Sequence, residues 1–329
     1  MPMSRVFRLL GRQVDSARAA RQRASSSSAW GTAMKTAVFV CLFAVAVSAC
    51  APVAAPAPAA TSIPPTAPAI ASTATAMAQP TVMATEVAEL RGKFQVNGRS
   101  MYIYCQGTGS PTIVLDGDFG QTVSVMANLQ EKLSSRTTIC AYDRAGLSFS
   151  DRAPTPRTAK DVVTDLHGLL AAAAVPAPYL LMGYGAGGQF VQLYARTFPD
   201  QVVGVVALDP MAPADPWLAD VSTLFPPADY ATEKTNYSGG NEESIDLVTS
   251  GQQLAAAPPP PNVPFEILLS TDCQGDQTCS KIQPPYQQIM KGVAAAWQRG
   301  TLSLVPVGSI FDDGTDAAVA AVGRVLDSH

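Results

Sequence analysis

The chain has 329 residues, 22 Lys and Arg against 26 Asp and Glu, a formal charge of −4, two histidines and six cysteines. A slightly acidic chain with no basic patch interleaved with aromatics lacks the electrostatic footprint of a nucleic-acid binder. With the low-complexity start set aside, about 240 residues remain, which suits one α/β domain with a sizeable core.

The first fifty residues read as a leader. Met34-Lys35, the apolar run Ala37 to Val47 and the small-residue end Ser48-Ala49-Cys50 supply a basic start, a short apolar region and a cleavage site. The run is about a dozen residues, short of the roughly 20 that cross a bilayer. Val47 to Cys50 resembles the lipobox of bacterial lipoproteins, in which the cysteine becomes the acylated first residue; the alternative is an ordinary signal peptide with a chance cysteine near the cut. The expectation is an exported protein held on the outer face of a bacterial membrane by a lipid on Cys50. Residues 1–33, with Arg5, Arg8, Arg12, Arg18, Arg21 and Arg23, are either an extended basic start or sequence upstream of a true start at Met34, and the second is expected. From 51 to 90 the chain is Ala, Pro, Thr and Ser with no charge before Glu86. Such a composition buries too little apolar surface to offset ordering, so an extended tether is expected.

The domain, 91–329, opens with two strands around Asn97-Gly98, a strong hairpin signal. Thr112 to Leu115 is a continuous apolar run of the kind covered on both faces, and it ends in the loop Asp116-Gly117-Asp118-Phe119-Gly120. A helix over Val123 to Leu133 and a strand over Thr137 to Tyr142 follow, then the loop Asp143 to Asp151. Thr158 to Ala174 is a helix, with Thr158 as N-cap, Asp161 three residues on, and Val162, Leu166, Leu169 and Leu170 on one side. Tyr179 to Gly188 reads as a buried strand and a tight glycine turn, with a helix from Gln189 to about Phe198. Val202 to Leu208 is a strand ending in Asp209-Pro210. The Pro-rich stretch 211–262 is read as irregular and long enough to be a cap. A strand over Phe265 to Leu269, a helix over Ile282 to Trp297, a strand over Leu302 to Val307 and a helix over Ala317 to Leu326 complete the chain. Alternating strands and helices predict a mostly parallel sheet with helices on both faces.

This order resembles the α/β-hydrolase family across about residues 92–329. Four segments carry the resemblance: Pro111 to Leu115 with its glycine loop, Tyr142 to Asp151 as a Y-D-R-x-G-x-x-x-S segment, Gly183-Tyr184-Gly185-Ala186-Gly187-Gly188 as a nucleophile elbow, and Val206 to Pro210 as the strand leading to the cap. The resemblance implies an α/β-hydrolase fold and esterase- or peptidase-like ancestors, but the elbow departs from it. The middle of the G-x-S-x-G pattern is Gly185, which has no attacking atom.

Acyl transfer also needs a histidine base, an acid to orient it and two backbone oxyanion donors. The segment Val305 to Asp313, where the family histidine would stand, has none. His167 lies within a helix and His329 ends the chain, so neither is expected to serve. Asp209 and Asp272 follow strands at acid positions, and with no base to orient they read as loop-stabilising carboxylates. Backbone donors are expected to survive at Ala186 and in the Gly117–Phe119 loop. The expected reading is a catalytically inactive hydrolase-like protein acting as a binding or structural module. Its default ligand pocket is lined by Asp116, Gly117, Tyr184, Gly185, Ala186, Asp209 and Asp272; a collapsed cleft that binds nothing is the other possibility.

Two other functions compete. A working hydrolase could use Tyr184 or Ser309 as nucleophile and Asp272 as base, though an unactivated phenol is a poor one. Gly183-x-Gly185-x-x-Gly188 with Asp209 also spells a dinucleotide fingerprint, but it stands in mid-domain rather than opening it, and no cofactor is expected. Four cysteines fall in the domain. An exported chain with an even count suggests disulfides, and three pairings are possible. The expected pairs are Cys105–Cys140 and Cys273–Cys279, with free buried thiols as the alternative. No histidine stands near a cysteine, so no metal site is expected.

Overall fold

The computed structural model describes residues 89–328; the leader, Cys50, the tether up to residue 88 and His329 lie outside them. The first strand, β1 (Glu89–Val96), begins two residues before the expected domain start at 91 and pairs antiparallel with β2 (Arg99–Gln106). Between them Asn97 and Gly98 take φ of 50° and 79°, the left-handed pair that a tight two-residue hairpin turn requires.

The chain continues as β3 (Thr112–Asp116), α1 (Val123–Ser134), β4 (Ile139–Tyr142), α2 (Ala159–Ala172), β5 (Tyr179–Tyr184), α3 (Gly187–Thr197) and β6 (Val202–Leu208). After three cap helices come β7 (Pro264–Ser270), a long helix, β8 (Arg299–Val305) and a closing helix. One eight-stranded sheet results, in the order β1-β2-β4-β3-β5-β6-β7-β8, with every pairing from β4 to β8 parallel. Each residue of β3, β4 and β5 is buried, which is why those strands read as unbroken apolar runs. The capping box on α2 is formed as its sequence suggests, with the Thr158 N–H donating to the Asp161 carboxylate at 2.7 Å.

Three expectations need correction. The stretch 211–262 is not irregular: it holds α4 (Ala214–Leu224), α5 (Pro227–Tyr237) and α6 (Leu247–Ala256). Its prolines misled because Pro213, Pro216, Pro226 and Pro227 stand at or beside helix starts, where a missing N–H has no intrahelical partner to lose. The buried Trp217 Nε1–H donates to Glu233 at 2.6 Å and joins α4 to α5. The long helix α7 (Gln277–Ala295) begins five residues before Ile282, since Asp276 caps it by accepting from Thr278 and Cys279 at 2.8 and 2.9 Å. The last strand also lies earlier than expected, at Arg299–Val305, and α8 (Thr315–Asp327) closes the chain.

Both expected disulfides are present. Cys105 and Cys140 stand opposite each other on β2 and β4, their Cα atoms 4.0 Å apart, and Cys273–Cys279 closes the turn before α7 with a separation of 5.5 Å.

Candidate functional site

A tight turn joins β5 to α3, with glycine at its apex. Gly185 sits at the apex between β5 and α3 with φ of 57°, a left-handed conformation in which a side chain is strained. Its N–H donates to the Leu208 carbonyl at 3.2 Å, and its own carbonyl accepts from Gly188 and Met211 at 3.1 and 2.9 Å. At Gly187 a Cβ would overlap the Asp116 carbonyl, so glycine is what lets α3 start here, two residues before the expected Gln189, tight against the end of β3.

A carboxylate stands where the missing side chain would project. A Cβ built on Gly185 would overlap the carboxyl group of Asp118, from the loop after β3. Asp118 Oδ1 accepts the Ala186 N–H at 2.9 Å, and the Phe119 N–H also bonds to this carboxylate. These are the two backbone donors that an acyl oxyanion would need. They keep their place, but their acceptor belongs to the chain itself. Desolvation pushes the Asp118 carboxyl above the usual carboxylate range, against the pull of those two N–H groups and the Arg144 charge.

The loop is held by Arg144, only 2% exposed in its side chain. All five of its N–H donors are used. Nε and Nη2 grip both Glu243 oxygens at 2.8 and 2.6 Å, Nη1 donates to Asp116 Oδ1 and the Gly117 carbonyl at 2.5 and 2.6 Å, and Nη2 reaches the Asp118 carbonyl at 2.7 Å. Tyr142 Oη donates to the other Asp116 oxygen at 2.9 Å. Glu243 lies between α5 and α6 and also accepts the Gly120 N–H at 3.0 Å, so a single guanidinium ties the β3 loop to the cap. Burial works against the Glu243 charge, but Arg144 outweighs it and holds that carboxyl below its usual range. Burial raises the Asp116 carboxyl in spite of Arg144.

The carboxyl end of β6 and the loop after β8 are also joined by hydrogen bonds. Asp209, at φ 39°, accepts from the N–H and hydroxyl of Ser270 at 2.7 and 3.0 Å and from the Ile310 N–H at 3.2 Å, pinning the loop after β8. Buried Ser309 accepts the Asp312 N–H at 3.2 Å and hydrogen-bonds to Tyr184, whose ring stacks on Phe311 with centroids 4.9 Å apart. A Cβ on Gly308 would overlap the Gln274 amide.

The expected pocket residues therefore separate. Asp116, Gly117, Tyr184, Gly185, Ala186 and Asp209 lie at the carboxyl ends of neighbouring strands. Asp272 does not share their setting: it is exposed, and its carboxylate accepts the Gln274 N–H at 2.8 Å within the Cys273–Cys279 turn. The substitute groups are poorly served too. Burial pushes the Tyr184 phenol well above its usual range, further from a nucleophilic phenolate. His167 lies on α2, stacked on Phe198 with centroids 3.9 Å apart. For the dinucleotide reading, the turn's amides at Gly185, Ala186 and Gly188 already donate to protein acceptors, one of them an anion. Among the described residues no group of three or more His, Cys, Asp or Glu is placed to hold a metal ion.

Sequence reasoning missed Asp118, Arg144 and Glu243. The signals were the two aspartates flanking Gly117 and the arginine of the Y-D-R segment, and nothing local ties Glu243 to Arg144, 99 residues away.

A family model described as the α/β-hydrolase fold matches residues 112–253. An uncharacterized Bacillus subtilis protein, YqjL, is 32% identical over 105 residues, covering 32% of this chain and 42% of that protein. The bovine (lyso)-N-acylphosphatidylethanolamine lipase is 28% identical over 115 residues, covering 32% of this chain and 33% of the lipase. These matches span less than half of each relative. A crystal structure of E-2-(acetamidomethylene)succinate hydrolase superposes over 73% of this chain and 99% of its own, with a TM-score of 0.52 at 17% identity. Sheet order, elbow position and these likenesses agree: the chain has the α/β-hydrolase fold.

Proposed function

We infer that this protein is a membrane-tethered hydrolase-fold lipoprotein without acyl-transfer activity, acting as a binding or structural module. One observation carries the reading: the Asp118 carboxylate fills the apex where a nucleophile would project and takes the Ala186 N–H that an oxyanion would need. Catalysis on this fold requires an attacking atom, a proton shuttle and free oxyanion donors. Gly185 supplies no atom, neither histidine is on the loop after β8, and the donors are engaged. Because the polar groups of the cleft bond to one another, the collapsed-cleft form of the reading is favoured over a small-molecule pocket. The tether rests on sequence alone, on Cys50 and the segment behind it.

The test has two parts. The purified chain is assayed against short acyl esters, where turnover no faster than buffer is expected. Turnover that disappears in Asp118→Ala would replace this reading with a hydrolase that uses Asp118 as its substitute nucleophile. Expression with labelled palmitate should label the wild type and not Cys50→Ser; equal labelling of the two would remove the lipid anchor.

A further inference from the structure

If the cleft is closed, recognition has to occur on the surface, and one face is built for it. The β1–β2 hairpin sends Leu90, Phe94, Met101, Ile103 and Cys105 into the core. Its other face carries Arg91 opposite Tyr104 and Lys93 opposite Tyr102. The Arg91 guanidinium lies 4.6 Å from the centre of the Tyr104 ring. Tyr102 and Tyr104 are half-buried against the core, and the Phe149 ring, tilted 51° to that of Tyr102 with centroids 5.0 Å apart, is 55% exposed.

That exposure is not the result of a loose loop. The Phe149 N–H donates to Asp143 Oδ2 at 3.2 Å, Ser150 Oγ donates to the Asp143 carbonyl at 2.6 Å, and the same hydroxyl accepts the Tyr102 N–H at 2.9 Å. Ser148, just before it, holds φ of 41°, a conformation that costs a non-glycine residue about 1–3 kcal/mol. A strained, hydrogen-bonded loop holds a phenyl ring outward beside two tyrosines, two basic side chains and the exposed Arg152.

We propose that this face is a second, weak membrane contact that rests on the phospholipid surface. It rests on the tether reading in one respect: β1, from Glu89, is the described element nearest in sequence to Cys50, so an anchored chain keeps this face near the bilayer. Aromatic rings flanked by Lys and Arg suit the interfacial zone, where rings bury among headgroups and basic heads meet lipid phosphates. Arg91 also pairs with Glu89 at 3.6 Å, so the basic contribution is modest and the rings carry most of the contact. A weak patch becomes more effective once a tether raises its local concentration.

The experiment uses the full chain as Cys50→Ser, which removes any lipid and so separates this contact from the anchor. Cosedimentation with vesicles of phosphatidylglycerol and phosphatidylethanolamine should show salt-sensitive binding. Phe149→Ser should weaken it by about fivefold or more, as burial of one phenyl group implies. Phe149→Trp should keep binding and be quenched by brominated lipid. Arg91→Glu/Lys93→Glu, which leaves the rings in place, should weaken binding on phosphatidylglycerol more than on neutral vesicles. The proposal is overturned if Cys50→Ser does not bind vesicles, if Phe149→Ser binds as well as its parent, or if Phe149 instead drives a dimer in the absence of lipid. A wild type that takes up no palmitate, with vesicle binding by Cys50→Ser intact, would remove the anchor and leave this face standing.

Discussion

The carboxyl ends of β3 and β5 and the outer face of the β1–β2 hairpin treat polarity in opposite ways. At the first, an arginine with five satisfied donors, a carboxylate on two amides and a left-handed glycine form a network in which the groups answer one another. At the second, Phe149, Arg91 and Lys93 are exposed beside Tyr102 and Tyr104, which are half-buried against the core. The carboxyl ends of the strands close on themselves, and the hairpin leaves a ring and basic groups on the surface. Fold and function are separable, so each region is read from its own residues.

The severest way to break the comparison is to remove the arginine. Arg144→Met leaves Asp116 and Glu243 buried without their counter-charge, an expected loss of about 3–5 kcal/mol in urea or guanidinium unfolding. Cys105→Ala/Cys140→Ala should cost about 3 kcal/mol through the freed unfolded chain, with the cleft unchanged. Gly185→Ser should lose about 2–4 kcal/mol, from its left-handed backbone and its overlap with Asp118. Adding Asp118→Gly should return the overlap share, a coupling of about 1–2 kcal/mol in a double-mutant cycle, while the backbone share remains.

A smaller effect sharpens the electrostatics. Asp118 is raised above its ordinary 3.8, so the folded chain holds a proton that the unfolded chain has released. Stability from this group is therefore greatest below 3.8 and declines as pH rises toward the raised value. Glu243, lowered below 4.5, acts the other way: its share is lost as pH falls through its folded value. Asp118→Asn should remove its share of the decline, leaving that of the other raised carboxyls such as Asp116 and the Glu243 limb, measured as unfolding midpoint against pH. At the hairpin, Phe149→Ser should move stability by no more than about 0.5 kcal/mol, which makes it a clean surface variant.

The strands were legible because each announces its surroundings locally: unbroken apolar runs at Thr112 and Tyr179, alternation and an Asn-Gly turn at the hairpin. The tight glycine turn after Tyr179–Tyr184 was legible because its glycines stand between an apolar run and a helical pattern. The cap helices were obscured by prolines whose meaning depends on whether they begin a helix or interrupt one. Asp118 was hidden for a different reason. Its role follows from a glycine 67 positions later having left room for it, and from an arginine and a glutamate that only the assembled fold brings together. Asp272 failed as a pocket residue because the Cys273–Cys279 turn directs it outward to bond with its own loop.

The most direct test of the closed cleft is intact-mass analysis after exposure to a fluorophosphonate, on the wild type and on Gly185→Ser/Asp118→Gly. Both masses should stay unchanged, since neither protein joins an attacking atom to a proton acceptor. A phosphonyl adduct on the wild type, mapped to Asp118, Tyr184 or Ser309, would contradict the claim that this site has left chemistry behind.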